Sequence, residues 1–364
     1  MKIADIISEI EKFAPTNYQE QYDNAGLIVG QKNNECTGVI ICLDSIECIL
    51  DEAIAKNCNL IIAHHPIVFS GIKQITGKNY IERIIIKAIQ NNIAIYAAHT
   101  NLDNVQLGVN YKIGEKLNIH QPKILLPKKG TLKKLYTYVP SNACEQVLKA
   151  LFDVGAGSIG NYSECSFSTN GLGTFFPNES AQPKVGDKQI RNKVEEQKIE
   201  VIFPNYVEQK VLNALISSHP YEEVAYEIIQ LENTNQTIGS GMIGNLEHPI
   251  DETAFLHFLK QQFNAKMIRH TTLLGKPTQK VAWCGGSGSF LLNEAIRQGA
   301  DIFITGDFTY HKFFDADNQI LIADVGHFES EQFTSEIFLE IITKKFPNFA
   351  VQITENNTNP INYI

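Results

Sequence analysis

Three places in the chain combine imidazoles and carboxylates at spacings that suit metal ligation. His64 and His65 stand side by side at the end of an apolar run in "LIIAHHPIVF", with Pro66 behind them. His99 is followed four residues on by Asp103, and His327 four residues on by Glu331. Imidazoles with carboxylates and no thiolate suit zinc, iron, manganese or cobalt. Neighbours on an extended strand point to opposite faces, so His64 and His65 reach one ion only if the chain bends near Pro66. Two ions, one per histidine, relieve that conflict. A divalent pair roughly 3.5 to 4 Å apart, bridged by a carboxylate, commonly activates water for hydrolysis. Each residue alone also has a plainer reading: a strand-end histidine can be structural, Asp103 can cap a helix, and Glu331 can complement a helix dipole. The case for metal rests on their joint recurrence.

The elements that must position these groups are legible from periodicity. Residues 38–43, 59–63 and 93–98 are short β-branched apolar runs, and 46–57, 80–91 and 105–117 carry helix-period apolar positions. Such alternation implies β-α-β units and a largely parallel sheet covered on both faces, with ligands collecting beyond the carboxyl ends of the strands. The last third repeats the pattern. The stretch "VIICLDSIECILDEAIAKNCNLIIAHH" from Val39 aligns with "VAWCGGSGSFLLNEAIRQGADIFITGD" from Val281 at an offset of 242 residues. His64 and His65 then face Gly306 and Asp307, whereas His99 and Asp103 correspond to His327 and Glu331 at an offset of 228. The fold class expected is α/β, with two related α/β/α halves produced by internal duplication.

Between the halves the texture changes. Residues 134–140 read as a strand, 143–155 as a helix, 165–177 as a Gly-rich strand pair, 198–204 as a strand, 206–219 as a helix and 224–231 as a strand. That β-α-β-β-α-β order is ferredoxin-like α+β. The expected division is therefore a first half at 1–130, an inserted domain at 131–232 and a second half at 233–364. Weaker signals include "GGSGS" at 285–289, readable as an anion loop or a tight turn, and "TGDFTYH" at 305–311, which puts Asp307, Tyr310 and His311 either near where the repeat places His64 and His65 or simply at a capped helix start. His219 reads as solvated turn chemistry, and His120, His248, His257 and His270 as isolated.

Composition narrows the partners. The net charge of -9 and pI near 5.6, without long runs of like charge, disfavour nucleic acid as a main partner. No apolar run approaches the ~18 residues of a membrane span, and the N-terminal segment carries acids inside its apolar pattern, unlike a signal peptide. The seven scattered cysteines fit reduced thiols in a cytoplasmic protein and disfavour a thiolate zinc site.

The motifs "YDNAGLIVG", "AHHP", "HTNLD", "CGGSGS", "TGDFTYH" and "DVGHFESE" occur in this order. In them the chain resembles the GTP cyclohydrolase 1 type 2 homologs, also called Ngg-one-interacting-factor-three-like proteins. The resemblance covers about 1–125 and 235–345; the insert looks like the PII/CutA-like domain of longer bacterial members. It implies two divalent metal ions between two similar α/β/α layers. Carried over by motif, the ligands are His64 and His65, one to each ion, with Asp103, His327 and a bridging Glu331; His99 is adjacent. The resemblance also implies a ring-shaped homohexamer and a nucleotide substrate, GTP opened at C8. Tyr22 stands where the family more often has Trp. The expected function is a metal-dependent hydrolase of a small substrate. The alternative is a non-catalytic metal-binding regulatory or assembly protein with a ligand-sensing insert.

Overall fold

The structure is a computed structural model and describes residues 1–364. In chain order the first segment runs α1 (Ile3–Phe13), β1 (Gly26–Val29), β2 (Val39–Cys42), α2 (Glu47–Ala55), β3 (Leu60–Ala63), α3 (Tyr80–Gln90), β4 (Ala94–Ala97), α4 (Thr100–Asp103), α5 (Val109–Lys116) and β5 (Lys123–Lys128). Next come β6 (Leu132–Pro140), α6 (Cys144–Asp153), β7 (Phe167–Phe175), β8 (Asn192–Pro204), α7 (Glu208–Ser218) and β9 (Tyr226–Gln230). The last segment contains β10 (Asn235–Ile250), α8 (Glu252–Gln262), β11 (Arg269–His270), β12 (Thr278–Ser287), α9 (Leu292–Arg297), β13 (Ile302–Gly306) and β14 (Leu321–Asp324). It closes with α10 (His327–Glu331), α11 (Thr334–Lys345) and β15 (Val351–Ile353). Contacts divide the chain into two compact units, one of 1–126 with 237–364 and one of 127–236. No helix is long and apolar enough to cross a membrane.

The larger unit is a mixed α/β structure with two sheets. The first has strand order β1-β4-β3-β2-β15 and the second β11-β14-β13-β12-β10-β5. In the first, β2, β3 and β4 are parallel; in the second, β12, β13 and β14 are parallel. Val39 pairs with Leu60, and Val281 with Ile302, so both strand pairs share one register. These strands are continuously apolar because both of their faces are buried. Ile40, Ile61 and Ile95 pack on one side with Ile49, Leu50, Ile84 and Ile85 of α2 and α3. Val39, Ile41, Leu60, Ile62 and Tyr96 turn the other way, into a core shared with Trp283, Ile302, Ile304, Leu321 and helices α1, α5, α8 and α11. That shared core places the carboxyl ends of both sets of parallel strands around one site.

Each sheet borrows an edge strand from the far part of the chain. β5 sits at the edge of the second sheet, and β15 pairs in parallel with β2 of the first, Val351 opposite Val39. The segment after β15 is tied down by the half-turn of α2 that carries Glu52. Its carboxylate accepts from Lys56 Nζ at 2.8 Å, Asn356 Nδ2 at 2.8 Å, the Glu355 amide at 3.2 Å and the Thr354 hydroxyl. Burial would raise the pKa of Glu52, but these donors pull it down from 4.5 to about 2. The stabilisation is therefore full above about pH 4.5 and is lost as pH falls toward 2. Replacing Glu52 with Ala should destabilise the protein by about 1 to 3 kcal/mol. Faster amide exchange confined to β15 and 354–357 would locate the effect; uniform exchange would count against it.

Of the helix expected at 105–117, the structure has α5 at Val109–Lys116, and residues 104–108 form a bend between it and the short α4 that precedes it. A Cβ at Gly108 would lie 1.8 Å from the Leu102 carbonyl oxygen, so the chain folds back on α4 only because residue 108 is glycine. The smaller unit is a four-stranded antiparallel sheet of order β7-β8-β6-β9. Leu135, Val139, Ile199, Val201 and Phe203 cover its helical face with Val147, Leu151, Val211 and Leu215 of α6 and α7. The expected Gly-rich strand pair at 165–177 is one strand, β7. Gly171 and Gly173 lie within its ladder opposite Glu196 and Val194, where they form no turn.

Candidate metal centre

All six histidines and acids singled out by spacing lie beyond strand ends of the larger unit. His64 and His65 follow β3, and His99 follows β4 and caps α4, whose last residue is Asp103. His327 and Glu331 open and close the single turn of α10, which puts them on one helical face. Asp103, the last residue of α4, is therefore not an N-cap, whereas Glu331 closes α10 and precedes α11.

Glu331 stands at the centre, its side chain 4% exposed. Its Oε1 lies 3.7 Å from His64 Nε2, which is 3.6 Å from Asp103 Oδ1. Its Oε2 lies 3.0 Å from both His65 Nε2 and His327 Nε2, themselves 3.2 Å apart. Three overlapping triads result, His64–Asp103–Glu331, His65–His327–Glu331 and His64–His65–His99, each with ligand atoms within 4.8 Å of one another. His64 Nε2 and Asp103 Oδ1 are buried without a hydrogen-bond partner. Leaving such a group unsatisfied costs about 1 to 3 kcal/mol, and a cation would satisfy both. The neutral-imidazole and carboxylate donors likewise fit a divalent ion.

Every imidazole is oriented from behind. His64 Nδ1 bonds to the Ala98 carbonyl at 2.9 Å, His65 Nδ1 to Asp44 at 2.7 Å, His99 Nδ1 to Asp23 at 2.8 Å and His327 Nδ1 to Asp307 at 2.7 Å. With Nδ1 held, Nε2 faces the cluster, the arrangement that fixes the tautomer of metal-binding histidines. Asp23 and Asp44 escaped sequence reading as functional residues. Asp44 follows β2 at the same kind of carboxyl end as the histidines, and that position was the available signal. Asp307, which the repeat sets opposite His65 and which could also have capped a helix, takes a left-handed conformation at φ 54° and turns its carboxylate to His327. Asp44→Asn and Asp307→Asn should each weaken metal affinity about 10- to 100-fold. Competition against a chelator reads this directly, and unchanged affinity in both variants would exclude the orienting role.

The electrostatics follow from crowding three histidines around one buried carboxylate. Burial alone would lower the pKa of His65, but its hydrogen bonds with Asp44 and Glu331 overcome that and push it up to about 10. His327 is likewise opposed by burial, yet the Glu331 charge and the Asp307 hydrogen bond carry it to about 11. His64 is fully buried, and desolvation keeps it neutral. Burial also pushes Asp103 well up, helped by the Glu331 charge. Glu331 goes the other way: burial opposes ionisation, but the surrounding imidazoles hold it well below the carboxylate range. Burial keeps the nearby Cys284 thiol protonated, consistent with a site without thiolate.

The Gly-rich run at 285–289 serves this centre sterically. A Cβ at Gly286, which has φ +61°, would lie 2.2 Å from Glu331 Oε1. Tyr310 and His311 are exposed on a 3₁₀ turn and join none of the triads. His219 is buried instead of solvated; it bonds to the Tyr138 carbonyl and accepts from the Tyr221 amide. His120, His248, His257 and His270 are exposed and outside the cluster.

An α/β framework that gathers strand-end histidines and carboxylates into a buried cluster able to hold a metal ion defines the class of protein. The chain belongs to the Duf34/NIF3 (NGG1p interacting factor 3) family, whose model matches residues 1–360. It is 38% identical to a Bacillus subtilis protein named "GTP cyclohydrolase 1 type 2 homolog", covering 99% of this chain and 98% of that one. A Halalkalibacterium halodurans protein of the same name is 37% identical over the whole of both chains. Among solved structures, a Bacillus cereus protein related to NIF3 superposes with a TM-score of 0.87 at 37% identity, over 100% of this chain and 99% of the other. A Staphylococcus aureus protein gives 0.80 at 28% identity over 100% and 99%.

Proposed function

We propose that the cluster is a dinuclear centre and that the protein is a metal-dependent hydrolase of a small substrate. One ion would be held by His64, Asp103 and Glu331 Oε1, the other by His65, His327 and Glu331 Oε2, with His99 beside the first. The observation that carries this reading is the division of labour within Glu331, whose two oxygens face different donor sets. Divalent ions in such a site supply Lewis acidity and lower the pKa of water. The chain's own contribution is to fix the imidazoles through Asp44, Asp23, Asp307 and the Ala98 carbonyl. Zinc, iron, manganese and cobalt all suit the donors. The name shared by the relatives makes GTP the first substrate to try. Metal analysis by mass, then turnover of GTP, phosphodiesters and cyclic amides by wild type and His65→Ala, tests the reading. Fewer than two ions per chain, or no metal-dependent turnover across the panel, would sink it.

The same reading takes the two parallel-strand sets as duplicated halves, residues 131–232 as an inserted ferredoxin-like, PII/CutA-like domain, and the assembly as a cytoplasmic homohexamer. Their shared register and the smaller unit's strand order support the first two; light scattering tests the third.

A second reading, a non-catalytic metal-holding regulator, has its own support. The smaller unit contains a cavity of about 940 Å³ lined by Tyr138, Thr169, Phe175, Lys198 and Tyr221 among others. Deleting 131–232 tests it. A deletion protein with unchanged assembly, metal content and ligand binding would remove the case for sensing.

A further inference from the structure

Two exposed aromatic side chains stand beside the metal cluster without any role in holding it. Tyr22 is 65% exposed and Phe69 49% exposed, and their ring centroids are 6.2 Å apart. Phe69 meets the His99 ring nearly perpendicularly, their ring centroids 6.0 Å apart. His99 in turn lies 5.2 Å from His64 and 5.4 Å from His65, ring centre to ring centre, so the aromatic pair continues directly into the histidine cluster.

The two rings come from segments far apart in sequence, and both segments are held in place. Asn24 Nδ2 donates to the Val68 carbonyl at 2.7 Å, which joins the residues next to each ring. Asp23, the neighbour of Tyr22, bonds to His99 Nδ1 and to the Thr100 amide at 3.0 Å and its hydroxyl. The Ala25 amide donates to Gln19 Oε1 at 2.8 Å and fixes the far side of the turn. Large aromatic surface left in water is unfavourable, yet here it is anchored by the same hydrogen bonds that orient a histidine of the cluster.

A flat π-face at that position recognises another flat π-face, and stacking discriminates little between rings of different sequence or substituent. We propose that Tyr22 and Phe69 form a stacking platform that takes the flat aromatic ring of a substrate and positions its edge toward the metal cluster. The assignment deepens the hydrolase reading and rests on it for the chemistry, but the platform binds its ring through aromatic contact alone.

Equilibrium binding of guanosine, adenosine and cytidine to the full-length protein tests this, with ribose 5-phosphate as the control that lacks a ring. The variants are Phe69→Leu, Tyr22→Leu, their combination and Tyr22→Trp, each checked for metal content and for assembly mass. The expected result is that at least one nucleoside binds and that the double Leu variant weakens it by about tenfold or more. Tyr22→Trp should hold or tighten it, and metal content and ribose 5-phosphate affinity should not move. Nucleoside binding that is absent in wild type, or equal in wild type and the double variant, overturns the proposal. So does a double variant that changes assembly mass, since the rings would then be a subunit contact. A wild-type protein without metal defeats the hydrolase reading only; nucleoside binding to that protein, and its loss in the double variant, still decides the platform.

Discussion

On the dinuclear reading, Glu331→Gln should lose both ions together, and it should leave a protein of lower stability. The carboxylate is the only group shared by the His64–Asp103 and the His65–His327 sets, so neutralising it removes a charged donor from each. Variants of His64 or His327 should, in contrast, reduce loading at one position first. Without metal, Glu331 is the counter-charge for His65 and His327, both within 3.0 Å of it. Removing one partner of a buried charge cluster typically costs about 3 to 5 kcal/mol, and part of this is recovered as the imidazoles lose their protons. A fall of about 3 kcal/mol in metal-free unfolding free energy, read by denaturant titration, is the expected outcome. Full retention of metal would mean that Glu331 is not a ligand, whatever its position.

Metal affinity should rise steeply with pH across the neutral range. His65 and His327, with pKa values raised to about 10 and about 11 in the metal-free protein, carry protons at pH 7. A metal ion binds neutral imidazole, so each must give up its proton on loading. His64 is already neutral and releases none. The sign is fixed by the upward shifts: the ion pairs with Glu331 stabilise the metal-free fold fully below the ordinary histidine value of 6.5, and that stabilisation fades as pH rises toward 10. Metal binding thus competes with at least these two protons below that value, and apparent affinity should gain about a hundredfold or more per pH unit. Calorimetry in buffers of different ionisation enthalpy measures the protons directly. Release of none at pH 7 would show that the imidazoles are neutral and that the carboxylate does not hold their protons.

Much of the architecture is written in local pattern. The apolar runs at 38–43, 59–63 and 93–98 appear as β2, β3 and β4 because a strand buried on both faces must be apolar throughout, and that signature needs no knowledge of the rest of the chain. The same holds for α2, α3 and α6, whose buried positions recur with the helical period. The late start of α5, at Val109 and not at 105, was not legible, since it depends on where the Leu102 carbonyl lies against Gly108. The Gly-rich stretch at 165–177 misled for a related reason: glycine marks turns, but here it sits in a ladder, where Gly173 leaves room for the Glu196 carboxylate that accepts from Tyr221 Oη at 2.7 Å.

The sequence by itself determined which residue types stand at strand ends: the adjacent pair singled out His64 and His65, and the recurring His-x-x-x-acid spacing singled out His99, Asp103, His327 and Glu331. That information is one-dimensional, because a strand end and a helical turn are set by neighbours in the chain. Only the tertiary structure decided that Asp23, Asp44 and Asp307 each hold one imidazole, that β5 and β15 exchange sheets, and that the two oxygens of Glu331 face different partners. Those facts are contacts between distant segments, 20 residues apart for Asp307 with His327, 266 for His65 with Glu331 and further still for Val351 with Val39. No periodicity encodes such pairings; they exist only once the shared core brings the carboxyl ends of both sheets to one place.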